Sequence, residues 1–182
     1  MMISIFNKKG GVGKTSFAFS LAKDLGFYLQ SNDASLIETI YPEMSKISER
    51  PTKLENCVYD FGGFVDAGVY EILEASSYII VPCDASYNSI YKTIETLTEL
   101  KELKEKIIVI ATNFCDDDEK KEIVNNLKEY YEGDIFFFKR SKIVNNSIKN
   151  AESFNEISKN KFFAYPYKNF LNEYKKLLKY LK

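Results

Sequence analysis

The stretch NKKGGVGKTS, residues 7–16, decides the fold. It follows a short apolar run, MISIF (2–6), and leads into a helical pattern, KTSFAFSLAKDL (14–25). A strand, then glycines, then a helix that begins at a lysine turns successive backbone amides toward one point. The result is an anion nest at a helix N-terminus. The pattern G-x-x-x-x-G-K-[ST] is not met literally, because Lys8 stands where its first glycine belongs. Gly10, Gly11 and Gly13 supply the turn instead. The predicted phosphate contacts of the loop are Gly10, Gly11, Val12, Gly13, Lys14, Thr15 and Ser16. Lys14 is placed to reach β- and γ-phosphates, and the Thr15 hydroxyl to bind Mg²⁺.

Outward from this loop, strand-length apolar runs alternate with helical patterns. Strands are predicted at 2–6, 27–31, 56–60, 77–82, 106–112 and 134–138. Helices are predicted at 14–25, 66–75, 86–104, 117–131, 143–151 and 166–181. The polar stretch 34–53, with two prolines, reads as a loop holding one short helix. Continuous apolar strands alternating with helices predict an α/β fold: a doubly wound, mostly parallel sheet with helices on both faces. Ligands in such sheets sit at the carboxyl ends of the strands. With 182 residues, 45% of them hydrophobic, the chain is read as a single domain spanning 1–182.

Composition narrows the chemistry. Lys plus Arg total 25 and Asp plus Glu 26, so any nucleic-acid surface must be a local patch. There is no histidine, which removes the usual general base. Cys57, Cys83 and Cys115 are scattered and form no C-x-x-C pair, so structural zinc is not expected. No run nears the ~18 apolar residues of a membrane span, and the N-terminus lacks a signal-peptide pattern. A cytoplasmic protein is expected.

Lys9, directly before the glycine pair, makes the loop specific. K-G-G-x-G-K-[ST] resembles the deviant Walker A motif of the ParA/MinD family of P-loop ATPases. The resemblance extends to YDFGG (59–63), like the family's Walker B and switch II segment, to EILEASSYIIVPCDAS (71–86), and to FFFKRSKIVNNSIKNAESFNEI (136–157). It implies ATP and Mg²⁺ as cofactors and a homodimer when ATP is bound. Lys9 would cross the dimer interface to the partner's phosphates, while Lys8 would not. Asp60 would hold the Mg²⁺ shell through water, and Gly62 and Gly63 would let backbone approach the γ-phosphate. After the second strand the family carries D-x-D-P-Q, whereas this chain has SNDAS (31–35). Asp33 keeps the second carboxylate and would orient the attacking water; with Lys9 and Lys14 it completes the catalytic set. The chain reads as a compact member without an N-terminal DNA-reading domain.

ATNFCDDDE (111–119) follows a strand where such folds read the base. Asn113 is assigned an adenine contact, in preference to guanine. The acidic run 116–119 reads as a helix N-terminus. In the last helix Phe170, Leu171, Tyr174, Leu177, Leu178 and Leu181 form one helical stripe, with lysines on the other side. Three readings stay open: the stripe packs on the sheet and the lysines are only solvated, it packs and the lysines hold non-specific DNA, or the helix is a MinD-like membrane anchor. Lys139, Arg140, Lys142, Lys175, Lys176 and Lys179 are the DNA candidates, with Lys149 extending the patch. The resemblance implies a ParA-like partition ATPase, nucleoid-associated and stimulated by a ParB-like or other adaptor. The rivals are a MinD-like membrane-cycling ATPase and a nucleotide-binding scaffold with little hydrolysis.

Overall fold

Residues 1–64 and 67–182 are described by a computed structural model. Along the chain run β1 (Met2–Ile5), α1 (Lys14–Leu25), β2 (Tyr28–Ser31), α2 (Ile37–Ile40), β3 (Ser45–Ile47), β4 (Cys57–Asp60), α3 (Ala67–Ala75) and β5 (Tyr78–Cys83). Then follow α4 (Tyr87–Glu99), β6 (Ile107–Phe114), α5 (Asp117–Leu127), β7 (Ile135–Lys139), α6 (Ile143–Asn150), α7 (Phe154–Lys159), α8 (Lys161–Ala164) and α9 (Lys168–Tyr180). The seven strands form one sheet in the order β3-β2-β4-β1-β5-β6-β7. Every described pairing is parallel. Strand order reverses beside β1, which opens a crevice where the phosphate loop leaves the sheet.

Alternation along the strands builds two cores. Ile3, Ile5, Val58, Ile80, Ile108 and Ile110 join one cluster with α1, α6, α7 and α9. Cys57, Tyr59, Ile79, Val81, Val109 and Ala111 join the other with α3, α4 and α5. Successive side chains of a strand point to opposite faces, so a sheet covered on both sides needs apolar residues at every position. Helix α1 starts at left-handed Gly13 (φ 92°) and ends at left-handed Gly26 (φ 69°), whose N–H reaches back to Ala22 and Lys23 carbonyls. Glycine takes these conformations without a Cβ clash, so both ends match the sequence reading.

Three expectations change. The stretch 34–53 holds, beyond α2 and a 3₁₀ turn at Pro42–Met44, the edge strand β3. Its sequence SKI pairs by backbone with Leu29–Ser31 and carries no apolar period to reveal it. A separate helix α7 follows residue 153, closed by a capping box between Ser153 and Glu156. The long helix expected over 86–104 stops at Glu99 and tightens into a 3₁₀ turn at Lys101–Lys106. The helix predicted at 66–75 is seen from Ala67; residue 66 lies outside the described residues.

Helix α9 packs its stripe, as two of the three open readings expected. Its predicted stripe is buried: Tyr174 and Leu177 are fully enclosed, and Phe170, Leu171, Leu178 and Leu181 nearly so. Phe170 meets Phe138 and Phe154 with ring centroids 5.0 Å apart in each case. Phe17 of α1 meets Phe138 at 4.8 Å and Phe154 at 5.3 Å, edge to face. The Tyr174 hydroxyl donates to Asp24 Oδ2 at 2.9 Å, and Ser153 Oγ donates to Oδ1, so one carboxylate ties α1, α7 and α9 together. Lys175, Lys176 and Lys179 stay exposed. Leu177→Ala should therefore lower unfolding free energy by about 2–5 kcal/mol. Lys175→Ala should change it by less than about 0.5 kcal/mol. Urea denaturation followed by circular dichroism measures both.

Candidate functional site

Strand register brings the site together. Ile5 of β1 and Ser31 of β2 both lie opposite Asp60 of β4. The loops after these three strands therefore leave the sheet at one level. Above them lies a cleft of about 890 Å³, lined by 10–17 of the phosphate loop, by Asp33, Asp60 and Phe61, by the ends of β6 and β7 with the start of α6, and by Phe170 of α9.

In the loop, Gly11 (φ 79°) and Gly13 (φ 92°) take left-handed conformations, and both line the cleft. Lys14 Nζ donates to the carbonyls of Lys9 (2.9 Å) and Asn7 (3.2 Å). Burial lowers the Lys14 pKa, and the nearby Asp60 and Asp33 carboxylates oppose that shift. The two preceding lysines diverge. Lys8 Nζ pairs with Glu99 of α4 at 3.0 Å. Lys9 Nζ is exposed, donates to the Gly10 carbonyl at 2.8 Å, and has no carboxylate partner among the described residues.

Asp60 is 3% exposed, and burial pushes its carboxyl up to about 6 against the opposing hydrogen bond of the Thr15 hydroxyl and the charge of Lys14. Two oxygen donors at a helix N-terminus suit a hard cation. No group of three or more His, Cys, Asp or Glu is poised to cage a metal among the described residues. That donor set fits Mg²⁺, which is held by few protein oxygens together with phosphate and water. Thr15 would be a direct ligand and Asp60 a partner through water.

Two asparagines were not singled out by sequence. Buried Asn7 donates to the Pro82 carbonyl (2.6 Å) and to Thr93 Oγ1 (2.8 Å), while its own Oδ1 accepts from the Lys9 amide (2.9 Å). Together with Thr96 Oγ1, which accepts from the Lys8 amide at 3.2 Å, it seats the loop against β5 and α4. Asn32 Oδ1 accepts from the Gly62 amide at 2.7 Å. A Cβ on Gly63 would come within 2.9 Å of the Lys8 carbonyl, so the backbone must pass there bare. No local pattern announces the contacts to Pro82, Thr93 and Gly62, because these partners lie 75, 86 and 30 residues away in sequence.

On the other side of the cleft, Thr112 Oγ1 donates to the Val12 carbonyl at 3.1 Å, and exposed Asn113 is left-handed (φ 58°). Phe114 is buried edge to face against Phe137. The Asp116 carboxylate caps α5 through the amides of Asp118 (3.1 Å) and Glu119 (2.9 Å), as the acidic run suggested. Lys139, Arg140 and Lys142 line this same cleft; Lys175, Lys176 and Lys179 of α9 are not among its lining residues.

No family model matches the sequence, and no curated protein matches it either. Solved structures do resemble it. McdA of Cyanothece in complex with ATP superposes with a TM-score of 0.73 at 14% identity, over 99% of this chain and 95% of its own. A plasmid partition protein of Borrelia burgdorferi bound to AMPPNP gives 0.63 at 18%, over 97% and 98%. The fold is that of the ParA/MinD ATPases. MinD of Aquifex aeolicus gives 0.66 at 14%, over 97% of this chain and 96% of its own. The ParA/MinD fold is thus present nearly end to end, with the phosphate loop at its crevice.

The raised pKa of Asp60 has a signed consequence for the ligand-free protein. Folding binds the proton more tightly than the unfolded chain does, so ionising Asp60 inside the fold costs stability. That cost is absent below about pH 4, grows as pH rises toward 6, and is complete above it. Asp60→Asn should therefore stabilise the ligand-free protein by roughly 1–3 kcal/mol at pH 8 and change little at pH 4. Urea titrations at the two pH values read the difference.

Proposed function

We propose that this chain is a ParA-like partition ATPase. Mg-ATP joins two copies, the ATP dimer holds DNA without sequence preference, and slow hydrolysis to ADP and phosphate resets it. The observation that carries this reading is the arrangement of the loop: Lys14 at the helix N-terminus faces Asp60 and Asp33, and Lys9 is left without an ion pair among the described residues. Lys14 neutralises phosphate in its own subunit, Asp33 orients the attacking water, and Lys9 makes nucleotide a dimerisation signal. Phosphoryl transfer of this kind rests on positioning and charge. Mg²⁺, when bound, neutralises the β- and γ-phosphates. Asn113 contacts the adenine. An adaptor of ParB type would stimulate turnover, and the working place would be the nucleoid.

The similarity to MinD supports a second reading, cycling on a membrane. Among the described residues no helix is long and apolar enough to cross one, and the apolar face of α9 already packs in the core. Its lysines are better placed for phosphates of DNA. A scaffold that binds nucleotide with little hydrolysis is the third reading, and phosphate release separates it from the first.

Calorimetry should show that Lys14→Ala abolishes ATP binding. Lys9→Ala should keep ATP binding yet lose the ATP-dependent dimer in light scattering. Two charge-assisted contacts at roughly 1.5–3 kcal/mol each predict dimerisation weakened by about two to four powers of ten. Lys8→Ala, whose charge pairs with Glu99, should dimerise normally; equal failure of Lys8→Ala would remove the special role of Lys9.

Reversing the charge of Lys175, Lys176 and Lys179 should weaken DNA binding without changing ATP binding. Affinity should also fall less steeply with salt, since each lost phosphate contact removes about 0.9 from the log–log slope. Unchanged DNA affinity and slope would move the DNA surface away from α9, and loss of liposome binding instead would support the MinD-like reading.

A further inference from the structure

The sheet order gives a bound nucleotide a direction. Strands β6 and β7 lie on one side of β1, and β4 and β2 on the other. With its base beside Asn113 and its phosphates at the start of α1, a nucleoside triphosphate points its terminal phosphate toward β4 and β2. That end of the cleft holds Asp60, Asp33 and the backbone after β4. Because Ser31 lies opposite Asp60, the residues just beyond these strands meet above the sheet. There the Gly62 amide donates to Asn32 Oδ1 at 2.7 Å. A Cβ on Gly62 would lie 3.5 Å from both Asn32 Oδ1 and Asp33 Oδ2. The amide is therefore a donor at the terminal-phosphate end, and in the ligand-free protein a neutral side chain occupies it.

We propose that Asn32 is a latch that sets the discrimination between nucleoside tri- and diphosphate. Its carboxamide oxygen holds the Gly62 amide when no third phosphate is present and yields it when one arrives. This rests on the nucleotide reading above. The exchange swaps one acceptor for another, so the amide is never left bare, and a charged phosphate oxygen is the stronger acceptor. A diphosphate does not reach Gly62 and leaves the latch closed. Asn32 is a positioning residue: it touches the loop after β4 and sits beside Asp33, and the latch holds the Gly62 amide rather than the Asp33 backbone. The turn beneath stays fixed, because Ser31 Oγ donates to the Asp33 carbonyl and accepts from its amide, each at 3.1 Å. Further along, Ser35 Oγ is shielded from solvent with no hydrogen-bond partner among the described residues, which leaves this form of the loop incompletely satisfied.

The test compares wild type, Asn32→Ala and Asn32→Asp by calorimetry with Mg-ADP and Mg-AMPPNP, together with amide hydrogen exchange at Gly62 without nucleotide. Asn32→Ala should tighten AMPPNP by roughly three- to tenfold, the worth of one competing hydrogen bond, while ADP affinity stays within about twofold. Its Gly62 amide should exchange faster in the ligand-free protein. Asn32→Asp presents a charged acceptor and should weaken AMPPNP while sparing ADP. Equal shifts for both nucleotides, or an unchanged AMPPNP affinity in Asn32→Ala, would overturn the latch while leaving the nucleotide reading intact. A wild-type protein that binds neither nucleotide would overturn that reading and the latch with it. Unchanged Gly62 exchange in Asn32→Ala would show that the hydrogen bond does not form in solution.

Discussion

Ile5, Ser31 and Asp60 lie at one level across three neighbouring strands, and this register governs everything above the sheet. Each is the last residue of its strand. The phosphate loop, the Asn32–Asp33 turn and the Gly62–Gly63 segment therefore converge without long connections to guide them. The register is held by burial on both faces. Ile5 belongs to one core and Phe6 to the other, so a one-residue slip of β1 would send each into the wrong cluster. Packing of the two cores thus sets where the charges of the site meet.

Those charges are arranged at a cost that the fold absorbs elsewhere. Asp60 is buried beneath the start of α1 with its carboxyl pushed up to about 6, and Lys14 is pulled below its usual range by the same desolvation. Among the described residues neither group is matched by a close ion pair. Lys14 instead donates to two loop carbonyls, which keeps the ammonium solvated by backbone dipoles. Under the proposed function, an anion and a cation together would relieve these unfavourable electrostatics: phosphate at Lys14 and the loop amides, a divalent ion at Asp60 and Thr15. The aromatic cluster of Phe17, Phe138, Phe154 and Phe170 lies directly behind, and Phe17, Phe138 and Phe170 also form part of the cleft wall.

What was legible in the sequence follows from how local each signal is. Helix α1 was read to the residue because Gly13 and Gly26 mark both of its ends. Six strands were found from apolar runs, while β3 escaped because three residues at a sheet edge, SKI, need only backbone pairing. The capping box of α7 was readable as Ser153 and Glu156, three residues apart, yet it sat inside a stretch matched only by resemblance. Lys9, Lys14, Thr15 and Asp60 were legible because a short motif carries them. Asn7 and Asn32 were not, since their partners lie 75 and 86 residues away for Asn7 and 30 for Asn32. Lys139, Arg140 and Lys142 were grouped with the α9 lysines by charge alone, and only the placement of β7 beside β6 turns them toward the cleft.

The last helix shows where periodicity stops deciding and energetics must. A basic amphipathic stripe is the same pattern whether it packs on a sheet or lies on lipid. Here α9 covers the end of the sheet and closes the aromatic cluster with Phe170 and Tyr174. Moving it to a membrane would re-bury its own apolar face but strip Phe17, Phe138 and Phe154 of their cover. Exposing such side chains costs about 1.5–3 kcal/mol each. That total is comparable with the whole stability of a typical domain, about 5–15 kcal/mol. The helix is therefore committed to the core, and its exposed lysines ride on an element fixed relative to the nucleotide cleft. Phe170 makes the connection concrete, because one of its faces packs in the cluster and the same residue lines the cleft. Under the proposed function, a polyanion held by α9 and a nucleotide held by α1 would act on one rigid body, and coupling between them would not need the helix to detach.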